Sequence, residues 1–125
     1  MNTISAIALL EVRSALQRRL RLGQLTADAV QHAEFELRVG SQSFTHWPIQ
    51  TSILEHASVL IQRHALRALD ALQLASSLAV RDDLEPGDHL IFIGSDVRLL
   101  AAAQSEGLAT WDPANAAHQP APPVN

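Results

Sequence analysis

At residues 66–80 the chain carries the stretch LRALDALQLASSLAV, around which the rest of the fold is organised. The stretch has no Gly, no Pro and a single β-branched residue, so its residue propensities favour an α-helix. It is apolar nearly all round, which predicts a buried helix. Asp70 nevertheless lies in its middle, and a lone buried carboxylate costs on the order of several kcal/mol unless a partner compensates its charge. The stretch therefore predicts a core helix whose acid needs a partner.

The composition indicates one globular domain. The chain has 125 residues, 47% of them hydrophobic, and a net charge of −4 with all nine basic residues being Arg. The absence of Cys excludes disulfides and thiolate zinc sites and favours a cytoplasmic location. No apolar run is long enough for a membrane span, and no signal peptide is recognisable.

Helical and strand patterns alternate along the chain. Residues 89–94 form an uninterrupted apolar run, which predicts a strand covered on both faces. Gly23 is placed to end the first helix. Alternating strands and helices predict an α/β fold with a mostly parallel sheet flanked by helices. The predicted helices are 3–22, 27–39, 52–64, 66–80 and 97–104, and the predicted strands are 43–49, 89–94 and 108–111.

Three acids stand out, each with a local explanation. Glu11 lies on a helix face of apolar and small residues, where it pairs with an Arg or marks the edge of the buried stripe. Asp70 has Arg67 one turn before it, and Asp96 directly precedes a helix, as an N-cap does. Asp96 also follows a strand, and the carboxyl ends of parallel strands are where sites form. Three acids gathered there would repel one another unless a cation lay among them. Oxygen ligands of this kind suit Mg²⁺ or Mn²⁺, ions that serve phosphoryl chemistry.

Four arginines form a basic group, with three near the end of the first predicted helix and one in the second predicted helix. It consists of Arg18, Arg19, Arg21 and Arg38. A solvated face is the simpler interpretation, and a patch that contacts phosphates is the alternative.

The chain from about residue 4 to residue 111 resembles a known family. Three stretches carry the resemblance: ISAIALLEVRSAL at 4–16, LRALDALQLA at 66–75, and IGSDVRLLAAA at 93–103 followed by Gly107-Leu108. They are similar to the PIN domain, specifically to the VapC-type ribonuclease toxins of toxin–antitoxin pairs. The resemblance places family acids at Glu11, Asp70 and Asp96.

The resemblance implies a fold and an activity. The fold would be a PIN-like three-layer sandwich, and the activity a Mg²⁺- or Mn²⁺-dependent cleavage of RNA phosphodiesters. Glu11, Asp70 and Asp96 would be both the catalytic and the metal-binding residues. The implied partners are an RNA substrate, a cognate antitoxin and a second copy in a homodimer. The alternative is a catalytically impaired PIN-like protein that binds an antitoxin or dimerises, and a generic α/β domain would keep the three acids far apart.

One departure from the family pattern concerns the N-terminus. Family members begin with a central strand that carries an Asp, whereas this chain is expected to start at the helix that carries Glu11. A misassigned start or truncation, a degenerate gene, and strands that pair differently across a dimer would each explain this. Residues 1–112 are predicted to form the PIN-like domain, and residues 113–125 a flexible tail.

Overall fold

The computed structural model describes residues 3–5 and 7–115. Its chain contacts divide it into two compact units, residues 1–48 and residues 49–125. Most of the predicted tail, from residue 116 onward, lies outside the described residues. Within the described part, no helix combines the length and the apolar character that a bilayer crossing requires.

The first unit is a helical hairpin with a pair of short strands. Strands β1 (Thr3–Ser5) and β2 (Thr45–Trp47) pair in parallel, with Thr3 opposite Thr45 and Ser5 opposite Trp47. Thr26 caps helix α2 (Ala27–Ser41), because its hydroxyl oxygen accepts a hydrogen bond of 3.1 Å from the Ala29 amide. The elements are β1 (Thr3–Ser5), α1 (Ala8–Arg21), α2 (Ala27–Ser41) and β2 (Thr45–Trp47).

The beginning of this unit corrects one prediction. The helix predicted for residues 3–22 is confirmed only over Ala8–Arg21, and residues 3–5 are a strand. The chain therefore does not start at the helix that carries Glu11. The end of that helix is as predicted, since Gly23 has a positive φ of 72° and its amide bonds back to the Leu20 carbonyl at 3.0 Å.

The second unit holds the hydrophobic core. Its largest fully buried side chains are Leu60, Leu74 and Leu78, which come from two successive helices. Helices α3 (Thr51–His64) and α4 (Ala68–Asp82) are joined by a tight turn in which Ala65 has a φ of 52° and Arg67 an extended backbone. The elements are α3 (Thr51–His64), α4 (Ala68–Asp82), β3 (Ile91–Ile93), α5 (Val97–Ser105) and β4 (Ala109–Trp111).

Helix α4 contains the stretch from which the sequence argument began. Its inner side is buried through Ala71, Leu74, Ala75, Ser76 and Leu78, as the apolar pattern predicts. Its outer side is more exposed to solvent than predicted, because Leu69 is 50% exposed. The helix begins at Ala68, so Asp70 lies in its first turn and not in its middle.

Strands β3 and β4 pair in parallel, with Phe92 opposite Thr110. Strand β3 is shorter than the predicted 89–94, and only Phe92 is buried. Ile91 and Ile93 are 38% and 58% exposed, so the prediction of a strand covered on both faces is wrong for this structure. Both strand pairings of the described residues are parallel, which agrees with the predicted α/β class.

Candidate active site

Asp70 is held at the start of helix α4. The helix N-terminus carries the positive end of the helix dipole, which favours a carboxylate in the first turn. The side chain is 23% exposed, so the acid is half-buried at the rim of the core. The burial cost predicted for a fully enclosed carboxylate therefore applies only in part.

Asp96 lies where β3 leads into α5. One carboxylate oxygen, Oδ1, accepts a hydrogen bond of 2.9 Å from the amide of Leu99, so Asp96 is the N-cap of α5. The other oxygen, Oδ2, points to the guanidinium of Arg67. Asp96 can therefore be both an N-cap and a site residue, because capping uses one carboxylate oxygen and leaves the second for a cation.

Arg67 connects these two acids. Its Nε lies 3.5 Å from Oδ2 of Asp70, and its Nη2 lies 3.8 Å from Oδ2 of Asp96. Both distances exceed those of a good hydrogen bond, and the Arg67 side chain is 83% exposed. The guanidinium is a loosely held cation between two carboxylates. The sequence indicated Arg67 as a partner of Asp70 alone, and its contact with Asp96 was missed.

Glu11 lies in the first turn of α1, in the first unit. Asp70 and Asp96 belong to the second unit, and the structure brings those two together. Among residues 3–5 and 7–115, no group of three or more His, Asp or Glu side chains is arranged to hold a metal ion. The meeting of Glu11 with the two aspartates stays a prediction.

The two aspartates suit a hard divalent cation. They supply carboxylate oxygens and already share one positive charge, that of Arg67. Mg²⁺ is commonly held by one or two carboxylates, with water and substrate phosphate completing its ligands. An ion at this position would take the place that the guanidinium fills.

A second charged cluster joins the C-terminal ends of α3, α4 and α5. Oε1 of Glu106 accepts a hydrogen bond of 2.7 Å from Nε2 of His64 and pairs with Arg63. The Arg81 guanidinium bonds to the Glu106 backbone oxygen at 2.8 Å. The hydrogen bond from His64 lowers the pKa of Glu106, with Arg63 adding to the effect and burial opposing it. This cluster is structural, because its contacts hold three helix ends together.

Comparison with known proteins bears on the resemblance. No protein-family model matches the chain. Two curated relatives from Mycobacterium tuberculosis do match: ribonuclease VapC45 of strain CDC 1551 / Oshkosh and ribonuclease VapC49 of strain ATCC 25618 / H37Rv. Each is 35% identical to the chain over 103 residues, which is 82% of this chain and 68% of the relative. With its helices and short parallel strands, the chain therefore belongs to the VapC-type family of PIN-domain toxins.

Proposed function

We propose that this protein is a metal-dependent endoribonuclease that cleaves RNA phosphodiesters with Mg²⁺ or Mn²⁺. The observation that carries the proposal is the pairing of Asp70 and Asp96 on one guanidinium, at distances of 3.5 and 3.8 Å. Two carboxylates that come from separate elements and face one cation are the donor set that such an ion takes. The relatives named as ribonucleases supply the class of substrate.

The residues have separate roles in this proposal. Asp70 is held in place by the first turn of α4, and Asp96 by its own cap bond to Leu99. The cap bond thereby orients the Asp96 carboxylate before any ligand arrives, and the helix fixes the backbone position of Asp70. Glu11 is the third proposed catalytic and metal-binding acid. The bound ion would lower the pKa of a water molecule and stabilise the charge that develops on the phosphate.

Asp70→Asn tests the proposed role directly. The substitution removes the charge and keeps the size of the side chain, so RNA cleavage in Mg²⁺ or Mn²⁺ should fall at least a hundredfold, about the factor that charge stabilisation by one group supplies. Asp88→Asn is the matched control, since Asp88 lies in the exposed loop before β3. Equal cleavage by wild type and Asp70→Asn would refute the assignment.

A catalytically impaired protein is the second candidate. The observation that favours it is the same Arg67, whose charge already compensates both aspartates without a metal ion. Such a protein would act by binding an antitoxin or by dimerising. Absence of cleavage with every divalent ion, together with retained binding of the antitoxin, would select this function.

We further propose three properties that follow from family membership. The chain acts in the cytoplasm, it binds a cognate antitoxin, and it forms a homodimer. Light scattering on the purified protein tests the last of these, because the chain mass is 13.6 kDa and a dimer has twice that mass. A monomeric mass at all concentrations would contradict the dimer.

A further inference from the structure

A small open cleft lies between α1 and α2 of the first unit. Its volume is about 170 Å³. This is less than the roughly 300–1,000 Å³ of sites that enclose a whole drug-sized ligand, so it suits a phosphate or one flat ring. Its lining residues are Arg13, Gln31, Glu34, Phe35 and Arg38.

Phe35 gives the cleft an exposed aromatic surface. The residue is 56% exposed, although an apolar ring of this size gains free energy when it is buried. The Arg38 guanidinium lies 5.6 Å from the ring centroid, close enough for a cation–π contact. The ring still has free surface on which a second planar group can stack.

Two arginines from different helices share the cleft. Arg13 comes from α1 and Arg38 from α2, and none of the ion pairs of residues 3–5 and 7–115 involves either of them. The acid in the lining, Glu34, accepts a hydrogen bond of 3.5 Å from Gln17. The lining thus carries two positive charges and one negative charge, that of Glu34, and the net positive charge favours an anion in the cleft. Guanidinium groups suit phosphate because they can bind two of its oxygens at once.

The charge distribution along the chain points to the same partner. Residues 1–48 contain five Arg and four acids, whereas residues 49–125 contain four Arg and nine acids. The first unit therefore has a net charge of +1 and the second unit one of −5, so a polyanion meets the less unfavourable charge on the first unit. The exposed ring beside the guanidinium favours a nucleic acid over an acidic peptide, because every nucleobase has a face that can stack.

We propose that this cleft is a binding subsite for single-stranded RNA, with a phosphate held in it by Arg13 and Arg38 and the adjoining base stacked on the exposed surface of Phe35. The subsite rests on the proposed ribonuclease function and lies outside its acid site. It positions the strand and takes no part in the cleavage. Its contacts are not specific for sequence, since stacking and phosphate binding do not distinguish the bases.

Fluorescence anisotropy with a short labelled oligoribonucleotide tests the subsite, in EDTA so that no strand is cut. Phe35→Leu should weaken binding by roughly fivefold or more, the lower end of what one lost stacking contact costs. Arg13→Gln and Arg38→Gln should weaken it and each reduce the slope of log K against log salt by about 0.7. A purely structural role would not change that slope. Arg98→Gln is the control, because Arg98 is exposed on α5 and does not line the cleft.

The outcomes separate this inference from the proposed function. RNA binding that is equal in wild type and the three cleft variants would overturn the subsite, as would cleft variants that bind RNA no more weakly than Arg98→Gln. If the cleft variants lost affinity for an acidic peptide and kept their affinity for RNA, the cleft would be assigned to a protein partner and the RNA subsite would be overturned as well. Asp70→Asn should bind RNA as tightly as wild type, whether or not it cleaves RNA. A wild-type protein that binds RNA through the cleft but does not cleave it would refute the catalytic proposal alone.

Discussion

Removing the guanidinium of Arg67 should strengthen metal binding. In the structure Arg67 contacts both Asp70 and Asp96, the two acids that we propose as ligands of the divalent ion. An arriving ion must displace it, so Arg67→Gln should bind Mn²⁺ more tightly than wild type. The removed contacts are long, at 3.5 and 3.8 Å, and the Arg67 side chain is 83% exposed.

The expected size follows from that exposure. Solvent-exposed ion pairs each contribute about 0.2–1 kcal/mol, so the two contacts together contribute roughly 0.5–2 kcal/mol. Since about 1.4 kcal/mol corresponds to a factor of ten, Mn²⁺ affinity should rise by roughly 2- to 30-fold. Screening by salt weakens exposed pairs, so the gain should shrink as the ionic strength rises.

Isothermal calorimetry with Mn²⁺ and no RNA measures the effect. Arg98→Gln is the matched control: it removes the same charge from the same unit, and none of the ion pairs of the described residues joins Arg98 to either aspartate. Arg67→Lys keeps the charge but loses the fork that spans both acids, so it should fall between wild type and Arg67→Gln. Affinity in Arg67→Gln that is no higher than in Arg98→Gln would refute the reasoning.

Three further substitutions test the scaffold of the site by urea unfolding. Asp96→Ala should lose about 1 kcal/mol of stability with the cap bond, whereas Asp96→Asn keeps the cap and should lose only Mn²⁺ affinity; equal stability losses would contradict this. The pKa of Glu106 in the folded protein is below its usual 4.5. The ionised carboxylate therefore stabilises the folded state at a pH above the pKa of the unfolded state, and this stabilisation is lost as the pH falls through the pKa of the folded state. Wild type should therefore lose stability more steeply than Glu106→Gln below about pH 4.5, and parallel curves would refute the role of the cluster. Leu74→Ala should cost about 2–5 kcal/mol because Leu74 is fully buried, against less than about 1 kcal/mol for Leu69→Ala, half-exposed on the same helix.

Local sequence signals predicted most of the second unit. The pattern of apolar residues located α4, and the apolar run before Asp96 located β3 and the start of α5. These signals work because each helix buries residues at the spacing that the sequence displays. They also placed Asp96 at an element end, whereas Asp70 was expected in the middle of its helix and lies in its first turn.

Those local signals could not predict contacts between distant parts of the chain. Strand Thr3–Ser5 was missed because three residues show no periodicity, and its pairing with Thr45–Trp47 fixes its conformation. The link from Arg67 to Asp96 depends on how α4 packs near the end of β3, which no local pattern encodes. Phe35 and Arg38 are one turn apart on one helix, a spacing that indicates neighbouring side chains. The presence of Arg13 in the same cleft needed the structure.

The unequal distribution of the core has a consequence for local opening. The connected cluster of buried apolar residues runs from Ile53 to Leu108, entirely within the second unit, and α1 has no buried residue. Backbone amides that are protected only by helical hydrogen bonds exchange with deuterium through small local openings, whereas amides in a packed core exchange only through global unfolding. Amides of α1 should therefore exchange well before those of α4, and bound RNA should slow the first group selectively.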